Sequence, residues 1–172
     1  MSIRADLVDI SQVFVWLHDT AFATAIRESG VLFPWIESIH VLAITLVVGS
    51  IAFVDLRLLG IASSNRSIVS LSADVLPLTW TAFVFAVVTG GALFTSHAVG
   101  YAQNLQFRLK LVLLVLAGAN MATFHLIMGR GSGRWSESKA APLPGKVAGL
   151  VSLMLWIGIV SLGRWIGFEG VR

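Results

Sequence analysis

Apolar residues dominate four stretches of this chain, and polar residues gather in the short segments between them. A membrane-crossing helix needs roughly 20 mostly apolar residues. Segments 33–61, 75–98, 105–128 and 146–168 meet that requirement. Ser38 to Val54 carries no formal charge, the second segment is the cleanest, Lys110 sits near the start of the third, and Arg164 near the end of the fourth. Ala62–Asp74 is Ser-rich and polar, Val99–Gln106 is a tight turn, and Gly129–Gly145 holds Gly, Ser, two prolines and most of the loop charge. Connections this short predict consecutive helices that are antiparallel neighbours. The expected fold is an all-α integral membrane four-helix bundle, one domain over residues 1–172.

Ahead of the first span, residues 10–28 place Val13, Trp16, Leu17 and Phe22 among polar neighbours. That pattern is too polar to span and predicts an amphipathic helix lying on the membrane or capping the bundle. Pro34 marks the turn into the first span. The N-terminal face is called side A; the 99–106 turn and the C-terminus then share it, and the other two loops lie on side B.

Composition sharpens this picture. Of 172 residues, 56% are hydrophobic and only 12% charged, about half the charged share of a soluble domain. The absence of cysteine removes disulfides, thiolate metal sites, iron–sulfur clusters and covalent haem attachment. The net charge of +3 is scattered, with no basic cluster long enough to track a phosphate backbone, so nucleic acid is not an expected partner. The start of the chain, with Asp6 and Asp9, lacks the basic region of a cleavable signal. Side B carries Arg57, Arg66, Arg130, Arg134, Lys139 and Lys146; side A carries Arg4, Arg27, Arg108, Lys110, Arg164 and Arg172. Discounting Lys110 and Arg164, which fall inside spans, side B is slightly favoured as cytoplasmic.

Ionisable groups inside a bilayer are expensive and point to function. From a rise of 1.5 Å per residue, His40 lies about 12 Å and His97 roughly 15 Å from the bilayer centre towards side A, Lys110 and Arg164 about 10 Å, and His125 roughly 12 Å towards side B. Side A thus collects Glu37, His40, His97, Lys110 and Arg164, with His18 nearby; side B collects Asp55, Arg57 and His125, with Asn120 and Trp80 at hand. Glu37, His40, Ile44, Val47, Ile51 and Asp55 share one helical face, as do Lys110, Leu114, Met121 and His125.

Three readings follow. In the first, His40 and His97, on neighbouring helices at a common depth, supply both axial ligands of a b-type haem. Arg164 or Lys110 would pair with the propionates, Gly90, Gly91 and Ala92 would make room for the macrocycle, and His125 would serve a second haem or none. Electrons would pass between a quinol and a redox partner, making the chain a component of a membrane oxidoreductase. In the second, His40, Glu37 and His97 hold copper or zinc for binding or transport. Methionines suited to copper(I) show no clustered spacing. In the third, the chain is a non-catalytic assembly or scaffold subunit. His125 with Asp55 is also compatible with a quinone pocket. Against each stands the plain alternative that the histidines hydrogen-bond across helices, that Asp55 and Arg57 form a helix-end ion pair, and that the tryptophans are an interfacial belt. Gly163-x-x-x-Gly167 and Gly90-Gly91 permit close helix approach, within a subunit or in a homo-oligomer. No nucleophile–base pair or nucleotide-binding loop is present to support a hydrolase or kinase.

The stretch Glu37-Ser-Ile-His40 with Gly49 and Asp55-Leu-Arg-Leu-Leu-Gly60, the run Tyr101…Asn104…Phe107-Arg-Leu-Lys110, then Asn120, Phe124-His125 and Gly163-Arg-Trp165, resemble a family of small four-span bacterial inner-membrane proteins of unknown function. The resemblance covers most of the chain and implies four spans in a bacterial plasma membrane. It includes His40 and His125 and does not extend to His97. At the level of fold alone, the architecture also resembles four-helix b-type membrane cytochromes and copper-resistance membrane proteins.

Overall fold

A computed structural model describes residues 11–62, 68–130 and 141–169. Of the charges counted above, Arg4, Arg66, Arg134, Lys139 and Arg172 lie outside the described residues, as do Asp6 and Asp9. Every regular element among the described residues is helical. Residues 11–18 form α1, followed by α2 (Ala21–Glu28), α3 (Leu32–Leu58), α4 (Ile68–Ser96), α5 (Ala98–Gln103), α6 (Leu105–Arg130) and α7 (Leu143–Glu169). Four of them, within α3, α4, α6 and α7, are long and apolar enough to cross a membrane.

The ends of these helices follow local chemistry. Ser29 Oγ accepts from the Leu32 and Val31 amides at the start of α3. Pro34 falls in its first turn, where no N–H is required. At the far end Gly60 adopts φ +81°. The Gly60 amide bonds Arg57 O and the Ile61 amide bonds Leu56 O, a Schellman closure that favours glycine at its left-handed position. The expected break near residue 75 does not occur. Helix α4 starts at Ile68 and carries Pro77 inside it, at the cost of one backbone hydrogen bond.

The single helix expected over 10–28 is two helices. Thr20 ends the first and caps the second, its Oγ1 donating to Leu17 O and accepting from the Ala23 amide. Ala23 and Ile26 are buried where α2 packs on α4 and α3, while Val13, Trp16 and Phe22 are exposed. The pair caps the side A end.

Packing is less closed than a symmetric bundle. Helix α3 lies along α4, α7 lies along α6, and α3 meets α7 to join the two pairs. Helices α4 and α6, neighbours by short connection, share no comparable backbone interface. They meet through long side chains at side A, where Phe94 stacks on Phe107 with centroids 5.4 Å apart and interplanar angle 12°. Small residues set the close approaches. A Cβ on Gly149 of α7 would lie 3.2 Å from the Asp55 carbonyl oxygen of α3, and one on Gly158 would lie 2.9 Å from Leu113 Cδ1 of α6. Gly91 and Gly167 face open space. Polar bonds cross the same interfaces: Thr79 donates to Ser50 at 2.8 Å, and Asn120 Nδ2 donates to Ala148 O at 3.0 Å.

Candidate functional site

His40 sits in the α3–α4 interface. Its ring fills the notch of Gly90, where a Cβ would come 2.8 Å from His40 Cε1. Room expected for a macrocycle at Gly90 is therefore taken by the imidazole itself. Nδ1 lies 3.0 Å from Thr89 Oγ1. That hydroxyl donates to Phe85 O at 2.6 Å, so its proton is committed and it accepts from Nδ1–H. The Ala86 carbonyl also hydrogen-bonds the ring; in the tautomer with Nδ1–H on Thr89, Nε2 carries the lone pair. A histidine whose other nitrogen is pinned in this way is prepared as a ligand or proton acceptor.

Lys110 reaches the same region from α6. Its charge acts on His40, and its Nζ lies 3.5 Å from where a Gly163 Cβ would stand on α7. Four helices thus contribute to one place: His40 from α3, Thr89 and Gly90 from α4, Lys110 from α6, Gly163 from α7. Among the described residues no carboxylate forms an ion pair with Lys110. Glu37, one turn before His40, is exposed and acts on Tyr101, whose phenol is held above its usual value by burial and then by that carboxylate. Arg164 is exposed, with its guanidinium 4.6 Å from the Phe168 ring of its own helix. It does not join the cluster.

His97 follows the last residue of α4 and begins α5 with φ −139° and ψ 45°. Its Nδ1 lies 3.0 Å from Ser96 Oγ, which donates to Leu93 O at 2.7 Å. The relay matches that at His40, and again Nε2 is left. The two imidazoles are not at one level. The Phe33 ring meets His97 with centroids 6.0 Å apart, and Phe33 precedes His40 by seven residues, as Gly90 precedes His97. That separation is about 10 Å along the helix axes. The structure brings His97 together with Arg27, His18 and Tyr101 instead. Burial, then the charges of Arg27 and His18, hold the His97 pKa below its usual 6.5.

Arg27 was legible in the sequence only as a loop charge. It locks the cap in place: Nη1 donates to Ser96 O at 3.0 Å and to His18 O at 3.1 Å, and Nη2 to Thr24 Oγ1 at 3.3 Å. His18, expected near the side A cluster, has its Nδ1 3.4 Å from the same Nη1.

On side B the expected partners are separate. His125 is exposed, and its Nδ1 bonds the Met121 carbonyl of its own helix at 2.9 Å. Asp55 is buried, 5% exposed, against α7, where Ser152 hydrogen-bonds its carboxyl. Its Oδ2 has no hydrogen-bond partner. Among the described residues no three His, Cys, Asp or Glu side chains converge to hold a metal ion, so Glu37, His40 and His97 do not form one ligand set.

These features define a class by architecture: a helical bundle with four helices long and apolar enough to span a membrane. Comparisons with protein-family models, curated proteins and solved structures find no match.

Proposed function

We propose that this chain is a multi-pass protein of the bacterial inner membrane that holds a b-type haem on His40 and passes electrons between a quinol and a redox partner. The carrying observation is the His40 relay. Phe85 O, the Thr89 hydroxyl and Nδ1 form a chain that leaves Nε2 as a neutral donor, inside the span Leu32–Leu58. His40 would hold the haem iron through Nε2, and a hydrogen-bond acceptor on Nδ1 is the usual support for a ligating imidazole. Lys110, a cation without an ion pair among the described residues, suits the anionic edge of a haem. An intramembrane lysine in that state calls for an anionic partner. His97, about two turns away, would take no part in holding the haem in this reading. When bound, the haem supplies one-electron chemistry; the chain binds it, orients it and excludes water.

The resemblance to four-span bacterial inner-membrane proteins supports the location. The exposed Trp16 and Phe22 over the buried Ala23 and Ile26 support α1 and α2 as an amphipathic cap in the interfacial layer. The test is haem content. Protein purified in mild detergent is expected to be red and to carry haem b, and His40→Ala is expected to lose it. A colourless preparation from haem-replete cells would overturn the assignment.

A further inference from the structure

An open pocket lies at side A, where the α2–α3 turn faces the end of α4. It measures about 330 Å³ and is lined by Arg27, Glu28, Gly30, Phe33, Pro34 and His97, among others. That volume is at the lower end of small-molecule sites. We propose that this cavity binds the head group of a lipid-soluble quinol, a hydroxyl donating to His97 Nε2 and an oxygen accepting from Arg27.

The chemistry of the walls selects that ligand. With Ser96 Oγ donating to Leu93 O, it is an acceptor for a proton on His97 Nδ1. Burial and the neighbouring charges disfavour protonating the ring. Nε2 is then an acceptor, and the ligand must bring the proton. Arg27 has five N–H donors. Three go to Ser96 O, His18 O and Thr24 Oγ1, which leaves two for an acceptor. A ligand with an O–H at one end and an oxygen acceptor nearby satisfies both residues. A phosphodiester head group has acceptors only, and the Glu28 carboxylate on the same wall opposes a second anion. Phe33 and Pro34 supply the apolar faces that an aromatic head needs.

Position selects a lipid-soluble molecule. Phe33 and Pro34 belong to the first turn of the span Leu32–Leu58. Val31, Leu32 and Trp35 beside them are 63%, 47% and 65% exposed, an apolar surface of the kind that faces lipid. This site deepens the quinol-linked reading. It places the quinol at His97 instead of at Asp55 and His125, which the structure separates.

Gly30 offers a clean test. Gly30 lines the pocket and a Cβ there meets nothing within 4 Å, so a bulky side chain at that position is accommodated without displacing the fold and crowds the pocket. The purified protein in lipid nanodiscs is titrated with a short-tailed benzoquinol by calorimetry. Saturable binding at one site is expected. Gly30→Trp is expected to abolish it. His97→Phe, which keeps a ring against Phe33 and removes both nitrogens, is expected to weaken it at least about tenfold, the effect of about 1.4 kcal/mol. Soluble glycerophosphate is expected not to compete. Wild-type affinity in both variants, non-saturable partitioning alone, or displacement by glycerophosphate would overturn the site. The readout does not depend on haem. A colourless protein that binds quinol removes the His40 assignment and keeps this one; a red protein that does not bind does the reverse.

Discussion

At the scale of single residues, two histidines share one device: a hydroxyl within hydrogen-bond distance of both a backbone carbonyl and Nδ1. At His40 the hydroxyl is Thr89, and at His97 it is Ser96. Thr89→Val keeps the shape and removes the acceptor. Leaving a buried donor unsatisfied costs about 1–3 kcal/mol, so a lower midpoint of thermal unfolding is expected, together with partial loss of haem. Gly90→Ala drives a methyl against a ring already pinned on its other side. Overpacking of this kind costs about 1–3 kcal/mol. An unchanged melting curve would show that the ring is free to move. At the opposite end Asp55 depends on Ser152. Ser152→Ala strips the carboxyl of that bond and is expected to destabilise by about 1–3 kcal/mol. Asp55→Asn, which removes a buried charge and retains an acceptor for Ser152, is expected to be tolerated.

At the scale of elements, the cap is the part most sensitive to conditions. Helices α1 and α2 are held at side A by Arg27 and by the packing of Ala23 and Ile26. His97 lies among Arg27 and His18 with its pKa below 6.5. The folded state therefore resists a proton that the unfolded chain takes up near 6.5. Stability from this group is present above that value and declines as the pH falls through it towards the folded-state pKa. Amide protection in residues 21–29 is expected to be lower at about pH 5 than at about pH 7.5, across the histidine range. Equal protection factors at both pH values would argue against the linkage.

The four long helices were legible in the sequence because some 20 apolar residues have few other uses. Their ends were less so. The second span was expected to start at residue 75, yet α4 starts at Ile68 and takes Pro77 into its interior, since the missing N–H costs only one bond. The break at Asp19–Thr20 was hidden because Thr20 looks like any polar residue of an amphipathic face until its hydroxyl is seen capping α2. The depth of His97 was misread for a related reason. The second span was counted from residue 75, whereas α4 starts at Ile68, so its midpoint was set too near His97 and the depth of His97 came out close to that of His40. Gly149 and Gly158 carried no pattern that distinguished them from Gly167, which contacts nothing.

At the scale of the whole molecule, the two pairs α3–α4 and α6–α7 meet chiefly through α3 and α7. Gly149 sets that seam. Gly149→Leu places a side chain against the backbone of Asp55, which cannot yield as a rotamer can, and is expected to lower the unfolding midpoint more than Gly90→Ala. The topology is checked with equal directness. The chain contains no cysteine, so single cysteines need no altered background. Ser29→Cys and Ile61→Cys, at opposite ends of α3, are expected to react with an impermeant maleimide from opposite sides of sealed vesicles. Labelling of both from one side would contradict four spans.

The most direct test of the His40 site is the reduced-minus-oxidised absorption spectrum of purified His40→Ala and His97→Ala beside the unaltered protein. The expected result is a Soret band and a sharp visible band in the unaltered protein, absent from His40→Ala and retained in His97→Ala. Haem retained in His40→Ala, or no Soret band in any of the three, would contradict it.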